Sequence, residues 1–190
     1  MKAAHAQKSG WLRDEITEYK TVVKDKEGEE KEVVVDCEDG IRPKISVEKL
    51  GKLKPVFKKG GTTTAGNSSQ VSDGAAAVLL TRRSYAEKHG LPIRGRMLSY
   101  AAAGVPPELN GIGPIPAIRN ALKKSGLKIE NIDVVELNEA FAAQATHCAK
   151  VLGIAPEKMN RRGGSIAIGH PLGMTGARMI GTLFNEMERT

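Results

Sequence analysis

The chain has little of several things on which protein chemistry often leans. Only two cysteines occur in its 190 residues, Cys37 and Cys148, far apart and without metal-ligand spacing. That excludes a disulfide scaffold and fits a reducing compartment. Aromatic residues make up 4%, which argues against a nucleic-acid reader built on stacked bases. No apolar run is long enough to cross a bilayer as a helix, and no stretch reads as a signal peptide. No P-loop, GxGxxG fingerprint or metal-ligand cluster is present. The formal net charge of +7 invites a nucleic-acid reading. Acids and bases interleave, however, as in Lys24-Asp25-Lys26-Glu27 and Glu29-Glu30-Lys31-Glu32. Without an uninterrupted basic tract, nucleic acid is not an expected partner. A modest positive balance also suits a phosphorylated ligand.

What is present is glycine, alanine and alternation. With 40% hydrophobic and 27% charged residues, the composition is that of a globular protein with helices packed closely on sheet. Residues 1–60 are charged and irregular. A short Ala-rich helix is expected to end near Ser9-Gly10. Glu15 to Val23 and Lys31 to Asp36 read as a hairpin turning at Asp25-Lys26-Glu27-Gly28. Ser46 is a candidate cap for a short helix through Leu53. From Gly60 onward, strands are expected at Ala75–Thr81, Ile93–Ala101, Ile132–Leu137 and Ser165–Ile168. Helices are expected at Arg82–His89, Pro114–Lys124, from Asn138 to about Leu152, and after Pro171. Such alternation indicates an α/β unit with helices on both faces of a sheet. Met1 leads straight into a helical pattern and Thr190 follows one, so both ends are expected to be cut from a longer chain.

Two polar residues stand at strand-to-helix junctions. Asn138 opens Asn138-Glu139-Ala140-Phe141, and there it either caps a helix or offers its amide to a water or an oxyanion. His170 lies in Gly169-His170-Pro171. With proline at the first helical position, the imidazole falls near an N-cap, where the helix dipole favours its neutral form. It is either an idle histidine on a turn or a base. If the two strands lie side by side, both tips emerge at one carboxyl edge, where α/β sheets place ligands. His5 and His89 sit on charged helices. His147 and Cys148 are adjacent on one helix and do not face each other. Cys148 reads as a small core residue. Asp36, Glu38 and Asp39 beside Cys37 raise its pKa and make it a poor nucleophile.

Three stretches together resemble the signatures of thiolases. They are Gly66-Asn67-Ser68-Ser69-Gln70-Val71-Ser72-Asp73-Gly74-Ala75-Ala76, Asn138-Glu139-Ala140-Phe141-Ala142, and Gly163-Gly164 through Gly169-His170-Pro171-Leu172-Gly173. Gly40-Ile41-Arg42-Pro43, Leu53-Lys54-Pro55-Val56-Phe57 and Gly111-Ile112-Gly113-Pro114 match as well, so the resemblance covers nearly the whole chain. The wording around residues 66–80 and 104–116 is most similar to the peroxisomal branch of the 3-ketoacyl-CoA thiolases.

The resemblance implies a thiolase-like α/β fold. It would comprise most of the C-terminal αβ half, with a mixed sheet between helices, plus part of a loop domain. Residues 1–60 would be that partial loop, or lid, domain, and residues 61–190 the C-terminal domain, truncated before its last strands. The implied reaction is cleavage of a 3-ketoacyl-CoA by coenzyme A to acetyl-CoA and a shortened acyl-CoA, as in fatty-acid β-oxidation. By resemblance His170 is the base, and Asn138 orients a water in the oxyanion hole. Ser69 meets the pantetheine arm, Arg42 lies near the nucleotide, and Phe57 and Phe141 line the same channel. No metal or cofactor is implied, since coenzyme A is a substrate. The partners would be acyl-CoA, CoA and a second copy in a homodimer. The setting would be the peroxisome, with mitochondrion or cytoplasm as alternatives. Both catalytic cysteines of the family fall outside this chain, and neither Cys37 nor Cys148 matches them. The chain alone is therefore expected to be inactive. The alternative is a non-catalytic module that binds acyl-CoA or a partner.

Overall fold

The early elements follow from local chemistry. The structure, a computed structural model, describes residues Met1 to Thr190. Helix α1 (Lys2–Lys8) buries Ala3 and Ala6 and stops at Ser9. Strand β1 (Tyr19–Lys24) pairs antiparallel with β2 (Glu30–Val35), with Thr21 opposite Val33. Their turn is held by Asp25, whose Oδ1 accepts from Glu27 N at 2.9 Å and Glu29 N at 3.1 Å, an aspartate acting on its own loop backbone. Glu15 lies ahead of the hairpin in a single 3-10 turn. Ser46 caps α2 (Val47–Gly51) by accepting from Lys49 N at 3.3 Å, and the helix stops short of Leu53.

The later helices are α3 (Arg83–Lys88), α4 (Pro114–Ser125), α5 (Ala142–Leu152), α6 (Ser165–Ile168) and α7 (Thr175–Arg189). The core gathers where α4 and α5 pack over the segment before Asn138. It holds Ile115, Leu137, Cys148, Leu152 and Ile154, flanked by Ile112, Ile118, Val135 and Met159. Asn160 organises this region. It is the one non-glycine residue with positive φ, at 44°, a conformation asparagine tolerates better than most residues. From there its side chain mimics a neighbouring strand. Leu137 N donates to Asn160 Oδ1 and Asn160 Nδ2 donates to Leu137 O, both at 2.8 Å. Val135 N to Lys158 O and Asn160 N to Val135 O complete a parallel bridge.

The structure departs from the expected strands in ways that have physical reasons. β1–β2 is the only ladder. Residues 75–81 and 93–101 carry no pairing, and Leu79 and Leu80 stay 78% and 69% exposed. A buried parallel strand needs neighbours on its edges, and within this chain neither segment finds one. The second is held by side chains instead. Arg94 pairs with Glu188 and Asn185 of α7, while Ser99 and Tyr100 are tied to α4 through Ala121 O and Lys124 Nζ. Ile132–Leu137 contributes only the bridge to Met159. Ser165–Ile168 is a single helical turn rather than a strand, because four residues between glycines, three of them apolar, fit either state. No helix is long and apolar enough to cross a membrane.

A buried charge cluster ties the start of the chain to α7. Glu186 is fully buried and receives Arg162 at 3.3 Å, Arg161 at 3.4 Å and Arg189 at 2.6 Å. Arg162, itself 1% exposed, also donates to the backbone carbonyls of Trp11 and Asn185 and faces Glu15 at 3.8 Å. Burial pushes the Glu186 carboxyl up, but its hydrogen bonds from Arg189 and Arg162 outweigh that and hold it below the usual carboxylate range. A depressed carboxylate stabilises the fold above its unfolded pKa of about 4.3, and that contribution is lost as pH falls through the folded value.

Two outcomes are expected. Asn160→Ala should lower stability by ~3 kcal/mol in urea melts, since it strands the Leu137 N–H and C=O in the core. Glu186→Gln should destabilise by ~3 kcal/mol at neutral pH. Its deficit relative to wild type should shrink as the pH is lowered below about 4.

Candidate active site

Asn138 reaches the site through the segment Asn160 holds. With Leu137 turned into the core, Glu136 and Asn138 fall on the opposite face, as alternation along an extended backbone requires. Helix α5 begins at Ala142, not at Asn138, with Phe141 at its N-cap. The cap reading of Asn138 is therefore overturned. Gln144 does the local work, its Oε1 accepting from Phe141 N at 3.4 Å and its Nε2 donating to Asn138 O at 3.3 Å. The Asn138 amide is left for partners distant in sequence.

His170 also differs from expectation in its setting. Pro171 starts a turn in which Met174 N and Thr175 N both bond Pro171 O at 3.0 Å, and α7 begins only at Thr175. The imidazole precedes the helix by a full turn instead of sitting at its N-cap. Gly169 fixes the approach. Its φ is 89°, and any side chain there would strike the Ser72 hydroxyl, so glycine is required. His170 N donates to Gln70 O at 3.2 Å, and Gln70 Nε2 reaches Ala167 O at 2.8 Å and Gly40 O at 3.0 Å. Residues of the first and third signature stretches thereby become one support.

The structure brings Asn138 and His170 together. Asn138 Nδ2 lies 3.2 Å from His170 Nε2, and Ser165 Oγ donates to Asn138 Oδ1 at 2.6 Å. On the far side His170 Nδ1 is 2.8 Å from Thr175 Oγ1, whose hydroxyl donates to Pro171 O at 2.8 Å. Thr175 has spent its one hydrogen, so it accepts from Nδ1–H. Nε2 then carries the lone pair and accepts from the Asn138 amide. The tautomer follows from donor and acceptor counts along the network. Ser165, Thr175, Arg178 and Glu136 were not legible in the sequence. Ser165, Arg178 and Glu136 meet partners 13 to 42 residues away, and Thr175, only five residues from His170, belongs to no local pattern that marks it.

The other candidates divide into two groups. The Phe57 and Phe141 rings meet edge to face with centroids 5.9 Å apart, both partly open to solvent. Ser69 N donates to Ala140 O at 3.0 Å, and Ser68 bridges Phe141. Ser69, Phe57 and Phe141 thus gather beside Asn138. Arg42 is exposed and makes no hydrogen bond or ion pair with them, although Gln70 anchors Gly40 two residues earlier. Neither cysteine has a catalytic setting. Cys148 is fully buried, with Sγ donating to Gly111 O at 3.4 Å, and burial raises its pKa. Cys37 is exposed, and its hydrogen bond with Asp36 pushes the thiol up.

Beneath Asn138 lies a buried ion pair. Glu136 Oε2 meets Arg178 Nη1 at 3.4 Å, while its Oε1 is buried without a partner. Burial raises the Glu136 carboxyl to about 7, the Arg178 charge opposing but not cancelling it. A raised carboxyl stabilises the fold below its unfolded pKa of about 4.3, and that contribution is lost as pH rises through about 7. Between those limits Glu136→Gln should flatten the fall of wild-type stability by on the order of 2–3 kcal/mol, read from urea melts across that range.

Comparison with known proteins bears on this arrangement. Residues 91–190 match the thiolase C-terminal domain family and residues 1–84 the thiolase N-terminal domain family. The chain is 58% identical over 188 residues to peroxisomal 3-ketoacyl-CoA thiolase B of Rattus norvegicus, covering 99% of this chain and 44% of that protein. Among solved structures, the acetyl-CoA acetyltransferase of Bacillus anthracis superposes with a TM-score of 0.91 at 41% identity, over 99% of this chain and 46% of its own. Human mitochondrial 3-ketoacyl-CoA thiolase in complex with CoA gives 0.84 at 37% identity, over 99% of this chain and 45% of its own. The dimeric peroxisomal thiolase of Saccharomyces cerevisiae gives 0.87 at 47% identity, over 97% of this chain and 45% of its own. The chain spans under half the length of the proteins it matches. Its fold is thiolase-like α/β, and by sequence and structure alike the chain belongs to the thiolase family.

Proposed function

We propose that this chain supplies the histidine and oxyanion half of a thiolase site that cleaves 3-ketoacyl-CoA with coenzyme A. The observation that carries this is the 3.2 Å contact of His170 Nε2 with the Asn138 amide nitrogen, from which donor and acceptor counts leave the lone pair on Nε2. A cysteine thiol brought to that nitrogen gives it its proton. The thiolate adds to the 3-keto carbon, the bond to the neighbouring carbon breaks, and the acyl group stays on sulfur as a thioester. The electron pair leaves as the acetyl-CoA enolate, which takes up a proton. Coenzyme A, deprotonated in turn, attacks the thioester and frees the cysteine. Asn138 Nδ2 has a second hydrogen, suited to an oxyanion directly or through water.

Since Cys37 and Cys148 are poorly set for that role, the nucleophilic sulfur is supplied by another stretch of polypeptide. Ser69 and the Phe57–Phe141 pair form one wall for the pantetheine arm, and Arg42 answers the phosphates of coenzyme A. Residues 1–60 act as a lid over residues 61–190. The names of the relatives support a peroxisomal setting and a dimeric enzyme, and the proposed reaction is that of fatty-acid β-oxidation, carried out by a homodimer.

The test is complementation. Coexpression with a polypeptide carrying the remaining part of a peroxisomal thiolase should yield thiolysis that neither piece shows alone. In that complex His170→Ala should lower kcat by about 10³-fold, while Cys148→Ala should leave turnover nearly intact. Unchanged turnover in the His170 variant would overturn the role given to it. Coenzyme A binding without turnover in the complex would favour a non-catalytic acyl-CoA module instead.

A further inference from the structure

Five side chains run in single file from a guanidinium to a backbone carbonyl. Arg178 Nη2 lies 3.3 Å from Ser165 Oγ, Ser165 Oγ 2.6 Å from Asn138 Oδ1, and Asn138 Nδ2 3.2 Å from His170 Nε2. His170 Nδ1 then meets Thr175 Oγ1 at 2.8 Å, which ends on Pro171 O. Ser165 is completely buried, so no water intrudes at the second link. Arginine has donors and no acceptor, so the Ser165 oxygen must accept from it. The single hydroxyl hydrogen then has one destination, Asn138 Oδ1.

We propose that Arg178 is a positioning residue that acts through Ser165, turning the Asn138 amide so that its NH2 faces His170 and Nε2 stays the bare nitrogen. The reversed amide would present oxygen to His170, which requires Nε2–H and leaves no lone pair for a thiol proton. It would also aim an NH2 group at a hydroxyl already receiving an arginine. Glu136 steadies Arg178 from below at 3.4 Å, on the same face of its segment as Asn138. Gly164 keeps the neighbouring space clear, since a side chain there would collide with the Glu139 carboxylate. Glu139 in turn receives Asn160 Nδ2 at 2.8 Å. The hydrogens of the file are directed from both ends, by the Arg178 charge at one and by Pro171 O, which takes the Thr175 hydrogen, at the other. This inference rests on His170 as the base, but its test needs no turnover.

The measurement is the tautomer of His170. The 190-residue protein is labelled with nitrogen-15 at histidine, and ring nitrogens are read by NMR in mildly alkaline buffer, where imidazole is neutral. His170→Ala identifies the signal among the four histidines. In the wild type the Nδ1–H form should dominate. Ser165→Ala and Arg178→Met should each raise the Nε2–H fraction by about threefold or more, whereas Arg178→Lys, which keeps a charged donor, should remain close to wild type. Far-UV circular dichroism checks that each variant folds. Should Arg178→Met fail because Glu136 is left unpaired, Ser165→Ala decides, since it leaves that ion pair intact. A wild type dominated by Nε2–H would overturn the proposal. So would a folded Ser165→Ala variant with lowered melting temperature and an unmoved tautomer ratio, which would make these residues merely structural. Loss of turnover in His170→Ala would stand or fall separately.

Discussion

Much of the molecule depends on the side chain of one asparagine standing in for a strand. Asn160 pairs with both backbone groups of Leu137 and also reaches Glu139. Two neutral hydrogen bonds contribute only about 1 kcal/mol each in net terms, but leaving the same buried groups unpaired is far more unfavourable. The constraint therefore works mainly by forbidding alternatives. With Leu137 fixed toward the core, Asn138 has no choice of side and points at Ser165 and His170. The left-handed backbone at Asn160 lets one residue continue the parallel bridge and pair with the next strand position.

A second constraint holds the chain's beginning to its end. Arg162 and Glu186 are buried together, and their remaining bonds go to Trp11, Asn185, Arg161 and Arg189. A buried ion pair gains little over an apolar one of equal shape, because desolvation offsets most of the attraction. What it provides is exclusivity: a guanidinium with several fixed acceptors accommodates one arrangement of the surrounding backbone. Glu15, whose carboxyl burial raises while that of Glu186 is lowered, is drawn into the same cluster by Thr182.

The helices and the two reactive tips were legible because their signals are local. Gly126 closes α4 in the left-handed conformation and Gly153 does the same for α5, and Gly169-His170-Pro171 marked a break with a polar tip. The hairpin was legible through Asp25 and Gly28. Strands 75–81 and 93–101 were misjudged because apolar side chains report a preference for being covered, not whether a partner lies in the same chain. Four residues, Ser165–Ile168, are too few to separate one helical turn from a short strand. The cap considered for Asn138 and the N-cap placement of His170 failed for a shared reason: in both places several residues intervene before the helix begins, and those residues free the side chain for the site. Arg178 looked like any helical arginine, since nothing nearby in sequence foretells Glu136 and Ser165 as its partners.

Trp11 is the only tryptophan, and it sits between two ends of the molecule. The Arg189 guanidinium lies 3.7 Å above its ring and the His5 imidazole meets it edge-on at 4.9 Å. Its emission therefore comes from a single environment, built jointly by the opening helix and the closing one. The protein carries a native optical gauge at that seam, sensitive to any peeling of its first residues from α7 and indifferent to events at the hairpin.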